Sequence, residues 1–298
     1  MRSYQKKKGL YGYIFILPWI IGVLMLFLFP FLRTIFYSFN TLTIDNQLGF
    51  VTEFEGLRHF RTMIQSDPDF IQALGSALVN LLYTVPLIVM FSVLMGVLLN
   101  LKFPGRTIFR AIFFLPVIVT SGVVLQLLNA DTNSSMMLGE TAASGQAMVL
   151  NITVLTDLLE QIGIGQQFSD MISKIVSQTL NITWYSGVQI LLVIAGLQSI
   201  PNTVYEASKI EGASKWDQFW KITFPMLMPI IFINIIYTII DSFTANSNPV
   251  MQVITENAIN NFQYSYACAI SIVYCAVILL LIGLVSITIG RSISYTEK

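Results

Sequence analysis

The sequence predicts an all-α integral membrane protein with about six transmembrane helices. Of its 298 residues, 55% are hydrophobic and 11% are charged, whereas a soluble domain carries about 25% charged residues. Six apolar runs approach or exceed the roughly 20 residues that a helix needs to cross the hydrocarbon core of a bilayer. So few charged residues cannot cover a water-facing surface of this size, and a membrane location follows.

The predicted spans are 11–36, 77–101, 108–128, 183–200, 225–245 and 264–290. We treat residues 1–298 as one transmembrane domain. The first run is too long for a cleavable signal peptide and lacks a small-residue cleavage site, so we expect it to be a retained span.

Lysine and arginine predict the orientation, since they concentrate in cytoplasmic segments. With the N-terminus inside, twelve of the 16 basic residues fall in inside segments and four fall in or near outside segments. Both termini are therefore predicted to be cytoplasmic. Two outside connections are long, at 37–76 and 129–182. We expect short helices in the extracellular insertion 129–182, which serves either as a docking site for an external partner or as a simple lid.

The connection between the fourth and fifth spans, 201–225, predicts a helix–turn–helix on the cytoplasmic side. Thr203 and Glu206 have the spacing of a capping box at the start of its first helix. Gly212 is expected to end that helix, because glycine adopts left-handed backbone angles at little steric cost. A second amphipathic helix is expected to begin at Ser214 and to end at Pro225.

This connection resembles the EAA motif found in permease subunits of binding-protein-dependent ABC importers. The resemblance lies in Glu206-Ala207-Ser208, in Gly212 and in the segment Ile222 to Pro225. Ser208 replaces the usual second alanine, and Phe224 replaces leucine. In that family the loop inserts into a cleft of a separate ATPase. The resemblance assigns the coupling role to this loop, at Glu206, Ala207, Ser208, Gly212, Trp216, Asp217 and Pro225.

The rest of the chain is similar to the carbohydrate-uptake branch of that family, the maltose- and glycerol-phosphate-type permeases. Phe15-Ile-Leu-Pro-Trp19, the segment Phe109 to Pro116 and the segment Gly196 to Pro201 carry this similarity. It implies a type I ABC importer fold in the bacterial plasma membrane and a carbohydrate substrate, such as an oligosaccharide or glycan fragment. The implied partners are a second, non-identical permease subunit, two ATPase subunits, an extracellular solute-binding protein and membrane lipid.

The sequence contains no G-x-x-x-x-G-K-[ST] phosphate-binding loop. We therefore expect no enzymatic activity and no cofactor in this chain, with ATP and Mg²⁺ bound by the partner ATPase. His59 is the single histidine, and no metal-ligand cluster or nucleic-acid partner is predicted. Cys268 and Cys275 lie two helical turns apart, too far for a disulfide.

Polar residues recur within the spans and form the candidate translocation path. Polar groups are costly in hydrocarbon unless they face a partner or a water-filled cavity, and carboxylates, amides and aromatic rings suit the hydroxyls and C–H faces of sugars. The alternative is hydrogen bonding between helices, which is common in membrane bundles. The candidates are Asn80, Tyr83, Gln126, Tyr185, Gln189, Asn234, Tyr237, Asp241 and Tyr274.

Two other functional classes were considered. An ion-coupled secondary transporter of a polar solute would need broken helices in matching halves and ion-coordinating groups. A membrane enzyme would need clustered acids, bases or metal ligands. Neither pattern is found, and Asp241 has no second intramembrane acid or base with which to relay protons.

Overall fold

The computed structural model describes residues 15–45, 49–101, 104–111, 113, 182–183 and 185–290. Its labelled elements in chain order are α1 (Phe15–Ser38), β1 (Asn40–Asp45), β2 (Gly49–Phe54), α2 (Arg58–Gln65), α3 (Pro68–Asn100), α4 (Gly187–Ser199), α5 (Asn202–Ile210), α6 (Lys215–Thr244), α7 (Pro249–Thr255) and α8 (Tyr264–Gly290). The chain divides into two compact units. The first comprises residues up to Ala77 with Asn248–Leu280, and the second comprises Leu78–Ser247 with the residues after Leu280.

Four of these helices, α1, α3, α6 and α8, are long and apolar enough to cross a membrane. A fifth span is present if α4 and α5, which bend by 62° where they meet, are counted together. The predicted third span, 108–128, and the predicted insertion, 129–182, lie almost wholly outside the described residues. The prediction of a mainly helical, multi-span membrane protein is confirmed.

Helix α3 begins at Pro68, well before the predicted start of the second span at Ala77. Asp67 caps it, because one carboxylate oxygen accepts the backbone N–H groups of Asp69 at 3.0 Å and Phe70 at 3.2 Å. Pro68 has no N–H to satisfy and suits the first helical position. The apolar run marked only the part of this helix that suits hydrocarbon, and the polar cap lies beyond it.

The first unit contains an antiparallel hairpin that the sequence did not predict. Strands β1 and β2 pair in register from Asn40 opposite Phe54 to Asp45 opposite Gly49. The backbone N–H of Leu42 donates to Ser265 at the start of α8 at 2.9 Å, and the hydroxyl of Tyr266 donates to Asp67. The connection between the first two spans therefore contacts the beginning of α8, two segments that the charge pattern places on the same outer side.

Close helix contacts organise the second unit. A Cβ atom on Gly96 of α3 would lie 2.5 Å from the Val193 side chain in α4. A Cβ on Gly196 of α4 would lie 2.8 Å from Ile230 and 3.0 Å from Leu227, both in α6. Small residues allow this approach, as they commonly do between membrane helices. Glycine is therefore required where α4 meets each neighbour.

We predict that Gly196→Val lowers the thermal stability of the assembled complex. Inserted methyl groups would force α4 and α6 apart, and overpacking of this kind costs about 1–3 kcal/mol. The measurement is the melting temperature of the detergent-solubilised complex. Gly283→Val is the matched control, because a Cβ on Gly283 has no atom within 4 Å among those described. Equal melting of the two variants would show that the contact is unimportant.

Candidate functional site

Helix α5 opens the connection that resembles the EAA motif, but its cap differs from the prediction. The N-cap is Pro201, in an extended conformation and with no side-chain cap. The helix begins at Asn202, so Thr203 lies inside its first turn, and the predicted Thr203–Glu206 capping box is wrong. The carbonyl of Pro201 accepts the N–H of Val204 at 3.2 Å. A backbone carbonyl thus makes the first hydrogen bond of α5, where the Thr203 hydroxyl was expected to cap the helix.

Gly212 ends α5, as predicted. Its φ angle is +80°, and its N–H donates to Lys209 at 3.1 Å while the N–H of Ala213 donates to Ser208 at 2.9 Å. This pair of hydrogen bonds is the Schellman motif, which satisfies the last carbonyl groups of a helix. A Cβ at this position would meet no atom within 4 Å in the described chain. The need for glycine is therefore conformational and does not come from crowding.

Helix α6 starts immediately after this turn and differs from the predicted short helix. The Ser214 hydroxyl oxygen accepts the Asp217 N–H at 3.2 Å, and Asp217 pairs with Lys221 at 2.7 Å. The helix does not close at Pro225. It continues to Thr244 through a π-helical turn at Phe219–Thr223. Such turns are a known way for a helix to accommodate a local irregularity, and this one ends two residues before the proline.

The helix–turn–helix exposes large apolar side chains. Ile210 at the end of α5 is 88% exposed, and Trp216 and Trp220 at the start of α6 are 71% and 46% exposed. The two indole rings pack edge to face, with their centroids 5.7 Å apart. Clustered exposed apolar groups mark protein or membrane contact surfaces. We call Ile210, Trp216 and Trp220 the apolar surface of the helix–turn–helix.

The coupling residues assigned by resemblance are not all exposed. Glu206 and Ala207 face outward, whereas Ser208 is buried and its hydroxyl donates to the Tyr205 carbonyl at 2.8 Å. The Tyr205 hydroxyl lies 3.0 Å from that of Thr223 and joins α5 to α6. The motif thus combines an exposed face with an inner face that holds its two helices together.

A buried polar cluster joins three helices within the second unit. Asn234 of α6 is fully buried. Its side-chain amide donates to the Ser92 hydroxyl of α3 at 3.1 Å and to the backbone carbonyl of Gln189 in α4 at 3.3 Å. Thr238 donates to the Asn234 carbonyl at 2.8 Å. Asn234 therefore makes the interhelical hydrogen bonds that were the alternative interpretation of the polar residues within the spans.

Gln189 differs from the other members of this cluster. Its side chain is fully buried, yet neither the amide nitrogen nor its oxygen has a hydrogen-bond partner among the described residues. Leaving a buried polar group unpaired costs about 1–3 kcal/mol. Among the described residues, Gln189 is the residue whose buried side-chain atoms lack a hydrogen-bond partner.

The other predicted path residues do not converge on this cluster. Asn80 and Tyr83 bond each other at 2.5 Å on an exposed surface of α3. The Tyr185 hydroxyl lies 3.3 Å from Ser247, and Tyr274, in the first unit, bonds Asn248. Their assignment to a path remains a prediction, as it does for the half-buried Tyr237 and Asp241. Gln126 lies outside the described residues.

Ser92 is the cluster member that sequence reasoning missed. It stands alone in the apolar run around Phe91, without the recurring polar neighbours that drew attention to α6. A signal was present, because Ser92 and Gly96 are four residues apart, the small-xxx-small spacing typical of contacts between membrane helices.

The fold and this connection define a class of protein: a multi-span membrane subunit with an exposed helix–turn–helix between two of its helices. The chain belongs to the family of binding-protein-dependent transport system inner membrane components, whose match covers residues 63–294. It is therefore a multi-pass transport subunit of a system that works with a binding protein, as predicted.

Individual relatives and solved structures agree with this assignment. The chain is 28% identical to a probable ABC transporter permease protein, YesP, of Bacillus subtilis, over 97% of this chain and 92% of the relative. It is 27% identical to the multiple sugar-binding transport system permease protein MsmF of Streptococcus mutans, over 93% of both chains. A bacterial ABC transporter involved in import of the acidic polysaccharide alginate matches with a TM-score of 0.67 at 19% identity, over 100% of both chains. This last likeness confirms the predicted importer permease fold.

We predict that Gly212→Val destabilises the helix–turn–helix, because a β-branched residue tolerates left-handed backbone angles poorly. The expected cost is about 1–2 kcal/mol, measured by thermal unfolding of the complex and by protease cleavage near residue 212. Gly212→Asn is the control, since asparagine adopts these angles more readily. If valine and asparagine had the same effect, the backbone angle would not be the reason for glycine.

Proposed function

We propose that this chain is a permease subunit of an ATP-driven importer that carries a carbohydrate across the bacterial plasma membrane. The observation that carries the proposal is the exposed helix–turn–helix at Asn202–Gln218, with its apolar surface at Ile210, Trp216 and Trp220. A separate ATPase subunit binds this surface. Its nucleotide cycle moves α5, and the motion reaches the membrane through α4 and α6, which flank the connection.

The substrate class is supported by the relatives. The permease protein AraP of Bacillus subtilis, named for arabinooligosaccharide transport, is 24% identical over 97% of this chain, and the multiple-sugar permease MsmF is 27% identical. Both names refer to the transport of sugars. We therefore infer that this chain carries a carbohydrate, an oligosaccharide or a glycan fragment.

The buried Gln189 amide supports the proposal that the translocation path passes through the second unit. An amide can both donate to and accept from sugar hydroxyls, and this one has neither kind of bond within the described chain. We infer that Gln189 bonds substrate or path water when the bundle opens. Asn234, beside it, holds α3, α4 and α6 together around that group.

The complete importer is proposed to contain this chain, a second and non-identical permease subunit, and two ATPase subunits, with an extracellular solute-binding protein delivering the sugar. The family itself is defined by dependence on a binding protein. ATP and Mg²⁺ bind in the ATPase subunits, which perform the hydrolysis. This chain contributes the path and the surface on which the ATPase acts.

We predict that a cysteine introduced by Ile210→Cys crosslinks to the ATPase subunit in the assembled complex. Ile210 is 88% exposed, so a thiol placed there is accessible to a partner. Ser208→Cys is the matched control on the same helix, because Ser208 is only 7% exposed and its side chain faces α5 itself. The crosslink is read as a shifted band that contains both subunits. Labelling of the Ile210→Cys variant at this position by an extracellular, membrane-impermeant reagent in intact cells would contradict the proposal.

We predict that Gln189→Leu lowers uptake without lowering stability. Leucine removes a buried amide that has no described partner, so the free energy of unfolding should stay unchanged or rise by about 1–3 kcal/mol. Uptake should fall because the path loses a polar group. Melting temperature and transport rate are measured together in proteoliposomes. Gln198→Leu is the control, since Gln198 is exposed on the same helix. Full uptake in Gln189→Leu would remove this residue from the path.

A further inference from the structure

A second polar site lies in the first unit. It is a pocket of about 580 Å³, within the usual range for small-molecule sites. One wall comes from the connection between the first two spans, at Thr41 and Glu55, and from the start of α3, at Asp69. The other comes from the turn before α8, at Gln263 and Tyr264. Both walls belong to segments that the charge pattern places outside, so the pocket opens on the predicted outer face.

The polar groups of one wall are already oriented by their neighbours. The Thr41 hydroxyl donates to Glu55 at 2.6 Å and lies 3.0 Å from Nε2 of His59. Arg58 pairs with the other carboxylate oxygen of Glu55 at 2.5 Å. The hydrogen bond from Thr41 lowers the pKa of Glu55, and Arg58 adds to that effect against the opposing influence of burial. Glu55 therefore presents a fixed, ionised carboxylate.

Other polar groups on the pocket walls remain available to a ligand. Asp69 and Gln263 are exposed, and their side chains have no hydrogen-bond partner among the described residues. The Gln263 backbone is nevertheless fixed, because its N–H donates to the Asn257 carbonyl at 2.8 Å. A carboxylate and an amide held at separate points can accept from and donate to neighbouring hydroxyl groups.

Aromatic rings supply the remaining surface that a sugar requires. Phe262 and Tyr264 both line the pocket, with exposed fractions of 65% and 37% and ring centroids 6.4 Å apart. Exposed rings at a pocket edge can pack against the apolar C–H faces of a pyranose or furanose. Tyr266 lies deeper and is held by its bond to Asp67. The pocket thus combines open rings with fixed polar groups.

The charge of the lining distinguishes between classes of saccharide. Glu55, Asp67 and Asp69 contribute three carboxylates and Arg58 contributes one guanidinium, which gives a formal charge of −2 with His59 neutral. Like charges placed together in a binding site disfavour association. An acidic sugar would therefore meet repulsion here, whereas a neutral sugar would find hydrogen-bonding acceptors and donors.

We propose that this outer pocket binds a neutral saccharide before it enters the membrane path, and that it disfavours acidic saccharides. The inference rests on the proposed function, since it names the class of carbohydrate that the importer takes. It would separate this protein from the alginate importer that shares its fold, because alginate is an acidic polysaccharide.

The test measures saccharide binding to the assembled importer in nanodiscs without its binding protein. Saturation-transfer-difference NMR is used with raffinose and arabinotriose as neutral probes and trigalacturonate as the acidic probe. A neutral probe should bind more tightly than trigalacturonate. Gln263→Ala and, independently, Tyr264→Ala should weaken its binding about two- to tenfold, the range expected for loss of one contact. Asp69→Asn should tighten trigalacturonate binding.

Matched controls and uptake assays separate the possible failures. Gln252→Ala removes an exposed amide of the same unit that does not line the pocket, so it should leave binding unchanged. The pocket proposal is overturned if no neutral probe binds, if the pocket variants bind like this control, or if trigalacturonate binds best. Failure of the proposed function gives a different result: the complete importer, with its binding protein, takes up no saccharide at all.

Discussion

Hydrocarbon offers no hydrogen-bonding partners, so a polar group in a membrane bundle is costly unless it finds a partner within the protein or a water-filled cavity. Asn234 shows how the second unit meets this requirement. One amide donates to α3 and to the backbone of α4, and Gly96 and Gly196 allow those helices to approach closely. The position of α4 depends on both features, since a larger residue at either glycine would separate the partners that the amide joins.

The same requirement explains why composition and apolar runs predicted the membrane fold so well. Length and hydrophobicity marked α1, α3, α6 and α8, because a helix that crosses hydrocarbon must be long and mainly apolar. They could not mark where helices end in water. Helix α3 begins at Pro68 because of the Asp67 cap, and α6 passes through Pro225 by way of a π-helical turn. These are local backbone solutions that hydropathy does not encode.

The helix–turn–helix was predicted more accurately at Gly212 than at Thr203. A positive φ angle strongly favours glycine, so the presence of glycine was enough to predict the conformation at this position. A capping hydroxyl has alternatives, and the extended backbone at Pro201 starts α5 without it. The hairpin at Asn40–Phe54 was missed because its strands are short and its partner, Ser265, lies far along the chain.

The polar residues of α6 predicted the buried cluster less completely. The sequence identified Asn234, which shares a buried face of α6 with Thr238, but one helix could not reveal what that face meets. Ser92 and the Gln189 carbonyl come from other helices, and their alignment depends on the close packing at the glycines. The pocket in the first unit likewise unites residues near 41–69 with residues near 257–266, a pairing that no local pattern contains.

The length of α6, which runs as one helical segment from Lys215 to Thr244, has a mechanical consequence. Its 30 residues form a rod of about 45 Å at 1.5 Å per residue, and Trp216 and Asn234 lie on that one rod. A tilt imposed at the tryptophan end therefore reaches the Asn234 amide along one helix, through the π-helical turn at Phe219–Thr223 and past Pro225. Helix α4 meets α5 at a bend of 62°, so a movement of α5 reaches Gln189 across that bend. The two helices meet where the Asn234 amide donates to the Gln189 carbonyl, so any difference between their movements acts on that hydrogen bond.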